Sequence, residues 1–187
     1  MARGLRVVAG SARGVPLVAP EGARPTTGRV REAVFSTLGD VGGAAVLDLF
    51  AGSGAFGVEA LSRGASHALL VDADPRAADA CRFNLEATHL ADRGSVQACR
   101  VSSLLDRDAP SAGPFDLVFL DPPYGTSADD VAGTVGALGA TGWLQPGARV
   151  VVERATRSGA ITWSERWEVA WERRYGDTLV TILRQPE

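Results

Sequence analysis

From residue 44 onward, short continuous apolar runs alternate with stretches in which apolar positions recur at every third or fourth residue. The runs Ala45–Phe50 (AVLDLF), His67–Asp72 (HALLVD), Ser95–Val101 (SVQACRV), Phe115–Leu120 (FDLVFL) and Ala148–Glu153 (ARVVVE) read as buried strands, because apolar side chains in succession suit a sheet covered on both faces. Between them, helical spacing predicts helices over Phe56–Arg63, Pro75–Thr88 and a segment carrying Val131, Val135 and Leu138. Such alternation implies right-handed crossovers and a parallel sheet with helices on both sides. Trp167–Arg184 reads as two strands turning at Tyr175–Asp177, hence an antiparallel hairpin at the sheet edge. Ahead of the alternation, Arg6–Ala19 predicts two short strands around a Ser-Ala-Arg-Gly turn. Thr26 or Thr27 then caps a helix with Val30, Ala33, Val34 and Leu38 on one face, ending at Gly39. The stretch SLLDRDAPSAG is expected to be a loop.

Length and composition narrow the picture. At 187 residues the chain suits one well-cored domain with a small appendage, divided here as residues 1–24 and 25–187. Its 45% hydrophobic and 22% charged content is that of a soluble globular protein. No apolar stretch reaches membrane-spanning length and the first residues lack a secretory core, so a cytoplasmic protein is expected. Cys81, Cys99, His67 and His89 are isolated, which argues against a metal site, a disulfide or a histidine-based triad. A surplus of apolar stripe is absent, and a monomer is expected.

Charge adds a partner. The net charge of −3 hides a basic start: Arg3, Arg6, Arg13, Arg24, Arg29 and Arg31 face only Glu21 within residues 1–31. Guanidinium groups suit bidentate phosphate contacts, so these six arginines are expected to touch nucleic acid.

Two segments carry chemistry. In DLFAGSGAFG, Gly52, Gly54 and Gly57 form a G-x-G-x-x-G between strand and helix, and Asp72 ends the next strand, where an acid can take ribose hydroxyls. A nicotinamide or flavin dehydrogenase and an S-adenosylmethionine-dependent methyltransferase both fit such a loop. Asp48 discriminates, since it would repel a pyrophosphate yet can hold the ammonium end of a methionine moiety, directly or through water. The edge hairpin points the same way. So does DPPY, residues 121–124: Pro122 and Pro123 end the sheet ladder and offer no donors, leaving Asp121 and nearby carbonyls as acceptors beside the flat ring of Tyr124. That corner suits a planar group bearing an amine.

These residues resemble a known family. DLFAGSGAFG and VDAD are similar to the first two methyltransferase motifs, and DPPY to the [DN]-P-P-[YF] signature of enzymes that methylate exocyclic or amide nitrogens. Together with RVVAGSARG, RPTTGRVREAVF and YGDTLV, they make the chain resemble the RsmD-type small-subunit (16S) ribosomal RNA guanine-N2 methyltransferases over nearly its whole length. The resemblance implies a Rossmann-like α/β methyltransferase fold, S-adenosylmethionine as cofactor, and a guanine in 16S RNA of a partly assembled small subunit as substrate. It implies that Asp48, Gly52, Gly54, Asp72 and Thr26 serve the cofactor, and that Asp121, Pro122 and Tyr124 receive the guanine and carry catalysis. The chain departs from many methyltransferases after the third strand, where Arg100-Val101-Ser102 stands in place of an acid, so no side chain is assigned to adenine. Rival readings are a DNA adenine-N6 or cytosine-N4 enzyme, a protein glutamine methyltransferase and a non-catalytic RNA-binding assembly factor. Asp rather than Asn at position 121 and the lack of room for a large target-recognition region weigh against the first two.

Overall fold

The computed structural model describes residues 4–21, 27–107, 113–140 and 142–185. Its centre is β1 (Ala45–Leu49), buried at every position and paired in parallel with β2 (His67–Asp72) on one side and β4 (Phe115–Leu120) on the other. β3 (Gly94–Ala98) extends the sheet beyond β2, and β5 (Leu144–Ala155) extends it beyond β4, both in parallel. β6 (Glu168–Tyr175) and β7 (Thr178–Arg184) form the expected hairpin, with β7 antiparallel to both β5 and β6. The order is therefore β3-β2-β1-β4-β5-β7-β6.

Alternation along the strands feeds two apolar layers. Val46, Leu70, Leu117, Phe119 and Val151 join one cluster, while Leu47, Leu69, Val118, Leu120 and Val150 join the other. The first layer is closed by α1 (Gly28–Leu38), α2 (Ala55–Ser62) and α3 (Pro75–Ala87), the second by α4 (Val101–Leu105) and α5 (Ala128–Ala140). Helix starts follow local chemistry. Thr27 Oγ1 accepts from Val30 N–H, and Asp74 Oδ1 accepts from Arg76 N–H with Pro75 in the first turn. The segment expected as a loop after β3 opens instead with α4, because Val101, Leu104 and Leu105 share the spacing of one helix face and are all buried.

The N-terminal segment differs more. The expected two-stranded hairpin is reduced to an isolated Arg6–Pro16 bridge, although Val7 and Leu17 N–H still donate to Val15 and Leu5 carbonyls. Pro16 lacks a donor, and the N–H groups of Val8 and Ala9 turn away to the Glu59 carboxylate on α2, at 2.7 and 2.9 Å. Val7, Ala12 and Leu17 are buried in the same cluster as α1 and α2, so the segment shares the main core.

One arginine expected to meet RNA is part of that junction. Arg31 is 0% exposed, its Nη2 donates to the Arg6 carbonyl, and Glu59 and Glu153 supply the opposing charge. Burial lowers its pKa while the two carboxylates oppose the shift. Arg31 therefore ties the N-terminal segment to the sheet and is closed to phosphate. Arg6, Arg13 and Arg29 are exposed, whereas Arg3 and Arg24 lie outside the described residues.

Glu59 is also fully buried and pairs with Arg63 Nε at 2.8 Å. Removing one member of a buried charged network leaves the others uncompensated. Glu59→Ala should lower unfolding free energy by about 3–5 kcal/mol in urea denaturation. A truncation lacking residues 1–20 should be destabilised as well, because Val7, Ala12 and Leu17 are buried in the main core.

Candidate active site

Three chain segments meet at one level of the sheet because three strand ends are in register. Leu49 of β1 pairs with Val71 of β2 and with Leu120 of β4. The next residues, Phe50, Asp72 and Asp121, therefore leave neighbouring strands about 4.8 Å apart, at the carboxyl edge. Chain connections diverge to either side of β1 here, the position where open α/β sheets hold ligands.

Phe50 adopts φ 59, uncommon for a residue with a side chain, and starts the sharp turn from β1 into α2. Ala51 N–H donates to Val71 O, and Gly52 N–H donates to Asp72 Oδ2 at 2.8 Å. Asp72 Oδ1 accepts from Asp74 N–H at 2.9 Å, so the carboxylate is fixed from both sides and keeps further acceptor capacity. The glycines have separate duties. Gly52 has φ 57, lines the cleft, and a Cβ there would come no closer than 4.0 Å to the Phe50 carbonyl. A Cβ on Gly54 would instead lie 2.4 Å from Leu70 Cδ2 and 3.0 Å from Cys81 Sγ, so Gly54 is required by packing beneath the loop.

Asp48 sits behind this loop. It is 2% exposed, and its Oδ2 accepts from Gly57 N–H at 2.9 Å. Burial pushes its pKa up to about 8; the Gly57 hydrogen bond opposes the shift, and the charges of Asp121 and Asp72 add to it. The structure thus sets Asp48 behind the cleft wall, where it can act on a ligand only through the loop or at close electrostatic range.

The proline corner, at the end of the neighbouring strand β4, lines the same cleft. The Pro123 carbonyl accepts from both the N–H and Oγ1 of Thr126, at 3.1 and 2.9 Å, which closes the turn and leaves Asp121, Pro122 and Tyr124 lining the cleft. Tyr124 is 67% exposed, a large open aromatic face beside an acid. The whole cleft measures about 1230 Å³ and runs from Arg100 and Val101 after β3 to Arg154 near the end of β5 and Arg157 just after it. Acidic side chains outnumber basic ones in its lining, Asp72, Asp106, Asp121 and Glu153 among them, and the field favours a cationic ligand.

Sequence reasoning missed some contributors. Pro20 and Glu21 reach the cleft wall from the N-terminal segment. Asn84, 0% exposed, fastens them: its Oδ1 accepts from Val18 N–H, and its Nδ2 donates to Val18 O and to Ser53 O in the glycine loop. An asparagine among Ala77, Ala78, Cys81 and Leu85 on the buried face of α3 was the available signal. Thr26, expected near the cofactor, lies outside the described residues, while Thr27 caps α1. Among the described residues no cluster suits a metal ion, and no helix is long and apolar enough to cross a membrane.

The parallel sheet with an antiparallel β5-β7-β6 end, the glycine loop after β1 and the acid ending β2 define the fold of S-adenosylmethionine-dependent methyltransferases. An RNA methyltransferase from Salinibacter ruber, solved with S-adenosyl-L-homocysteine, shares that fold at TM-score 0.67 and 19% identity, covering 88% of this chain and 95% of that one. The family model described as "Conserved hypothetical protein 95" matches residues 5–184. Ribosomal RNA small subunit methyltransferase D of Escherichia coli K12 is 37% identical over 184 residues, 97% of this chain and 90% of that protein. The Haemophilus influenzae protein of the same name is 35% identical across 92% of this chain and 89% of its own length. The solved structure of Escherichia coli yhhF superposes with TM-score 0.85 at 32% identity, covering 98% of both chains. The chain belongs to this family, the RsmD family of ribosomal RNA small subunit methyltransferases.

The buried acid has a measurable consequence. With a folded pKa near 8 against an ordinary value of 3.8, Asp48 holds a proton in the folded chain over a range where the unfolded chain has lost it. Stability should therefore fall as pH rises from about 4 to 8. Asp48→Asn, which keeps an acceptor for Gly57 N–H, should show a Tm advantage over wild type that grows between pH 5 and pH 8; thermal melts across that range check it.

Proposed function

We propose that this chain transfers the methyl group of S-adenosylmethionine to the exocyclic N2 amino group of one guanine in 16S ribosomal RNA, acting as a cytoplasmic monomer on a partly assembled small subunit. The observation that carries this reading is the meeting of Gly52, Asp72 and the Asp121–Tyr124 corner on one cleft, through the register of β1 with β2 and β4. Names and family membership of the relatives support the ribosomal substrate.

The residues present suit the cofactor. Asp72, held by two backbone donors, accepts from the ribose hydroxyls. Gly52 allows close approach on the methionine side, and the acidic side chains of the lining complement sulfonium and ammonium charge. Ala73, Val101 and Leu105 offer an apolar wall for adenine, without the specific acid found elsewhere. S-adenosylmethionine supplies an electrophilic methyl group, so the chain's task is alignment and preparation of the nitrogen.

Guanine N2 is a weak nucleophile because its lone pair is delocalised into the ring. Asp121 and the Pro122 carbonyl accept hydrogen bonds from the amino group, turn the nitrogen towards tetrahedral geometry and aim its lone pair across the cleft. As positive charge develops on nitrogen, these acceptors bind it more strongly than in the ground state. Tyr124 stacks on the extruded base, a contact of about 1–3 kcal/mol. The exposed arginines Arg6, Arg13 and Arg29 contribute phosphate contacts and steep salt dependence.

The test is methyl transfer from labelled cofactor to small subunits or their precursors from cells lacking the endogenous activity, with the product nucleoside identified. N2-methylguanosine is expected. Asp121→Ala should cut kcat by about 100- to 1000-fold while S-adenosylmethionine binding, measured by calorimetry, changes little. Tyr124→Ala should raise KM for the subunit by about tenfold or more. Methylated adenine, cytosine or glutamine as product would replace the guanine assignment with one of the rival nitrogens.

A further inference from the structure

The cleft presents an electrostatic conflict that the proposed function leaves open. An acidic lining draws in a cationic cofactor, yet the same field repels the phosphate attached to the guanine that must enter beside it. Among the described residues, three arginines line the cleft: Arg100, Arg154 and Arg157. Arg100 follows β3, at the far end of the strand order from the proline corner. With β2 and β1 between β3 and β4, the two strand ends lie about 14 Å apart. Arg154 is committed to the backbone, its Nη2 donating to Ser158 O at 2.8 Å and its Nη1 to Gly159 O at 3.2 Å.

Those bonds build a stiff turn at the carboxyl end of β5. Ser158 N–H donates to Ala155 O, and Thr156 N–H donates to Asp177 O in the β6–β7 turn. Held at the tip, Arg157 is exposed and places its guanidinium carbon 5.9 Å from the centre of the Tyr124 ring. The corner after β4 and the turn after β5 are neighbours because β4 and β5 pair in parallel, Leu120 opposite Val152.

Resting on the guanine reading above, we propose that Arg157 is a substrate-positioning residue which binds the phosphate of the target nucleotide while Tyr124 stacks on its base. The contact offsets the repulsion of the acidic lining at the place where the nucleotide leaves the RNA. Arg157 touches neither the reacting nitrogen nor the cofactor, and it acts by fixing the backbone of the flipped nucleotide.

Wild type, Arg157→Ala and Arg157→Lys are compared on small subunits across a series of KCl concentrations, by equilibrium binding and by methyl-transfer kinetics. Arg157→Ala should weaken subunit binding about tenfold and flatten the plot of log affinity against log salt by about 0.7, the contribution of one single-strand phosphate. Its loss should appear in KM more than in kcat, with S-adenosylmethionine affinity unchanged. Arg157→Lys keeps the point charge and should recover most of the binding. An unchanged salt slope in Arg157→Ala overturns the proposal. So does Arg157→Lys binding as weakly as Arg157→Ala, since that result assigns the guanidinium plane to stacking. Wild type that binds subunits without forming N2-methylguanosine contradicts the proposed function instead, and the salt slopes still decide the role of Arg157.

Discussion

The pairing of Leu49 with Val71 on one side and Leu120 on the other is the constraint from which the site follows. A shift of either neighbour by one residue would reverse its side chains between the two apolar layers, at the expense of the buried leucines, valines and Phe119. Core packing therefore specifies the register, and the register brings the glycine loop, Asp72 and Asp121 to adjacent strand ends. Chemistry at the carboxyl edge is in this sense a consequence of hydrophobic side chains in the middle of the sheet.

Buried polar groups then join the peripheral parts to that frame. Glu59 receives the N–H groups of Val8 and Ala9, Arg31 reaches the Arg6 carbonyl, and Asn84 links Val18 to Ser53. Each satisfies backbone groups that would otherwise be costly to bury. The N-terminal segment is consequently continuous with the glycine loop through one side chain, and its exposed arginines stand on a support shared with the cleft. Under the proposed function, binding of RNA and binding of cofactor would draw on this common piece of structure.

Much of this was legible in the sequence because it depends on local pattern. The strand His67–Asp72 follows from its apolar run, and the edge hairpin from two strands separated by a tight turn. The corner at Asp121–Tyr124 follows from two consecutive prolines. Features set by distant partners were less accessible. Arg31 reads as one more basic residue until α2 and β5 supply Glu59 and Glu153. The pairing of Arg6–Ala19 gives way because Glu59, some fifty residues on, competes for its N–H groups. Gly54 resembles a ligand-facing glycine in the motif, yet Leu70 and Cys81 impose its missing side chain. The five-residue α4 is too short for periodicity to separate it from a loop, and burial against the sheet decides it.

The central claim is that the acceptor-rich corner after β4 holds an exocyclic amine, and the most direct measurement removes that amine from the substrate. Once the modified guanosine has been mapped, small subunits are reconstituted with inosine at that one position, which deletes N2 and keeps the rest of the ring. The account predicts that label from S-adenosylmethionine is no longer incorporated while the subunit still binds. Continued incorporation at the inosine would contradict it, because the methyl group would then be going to an atom other than the one the corner is built to present.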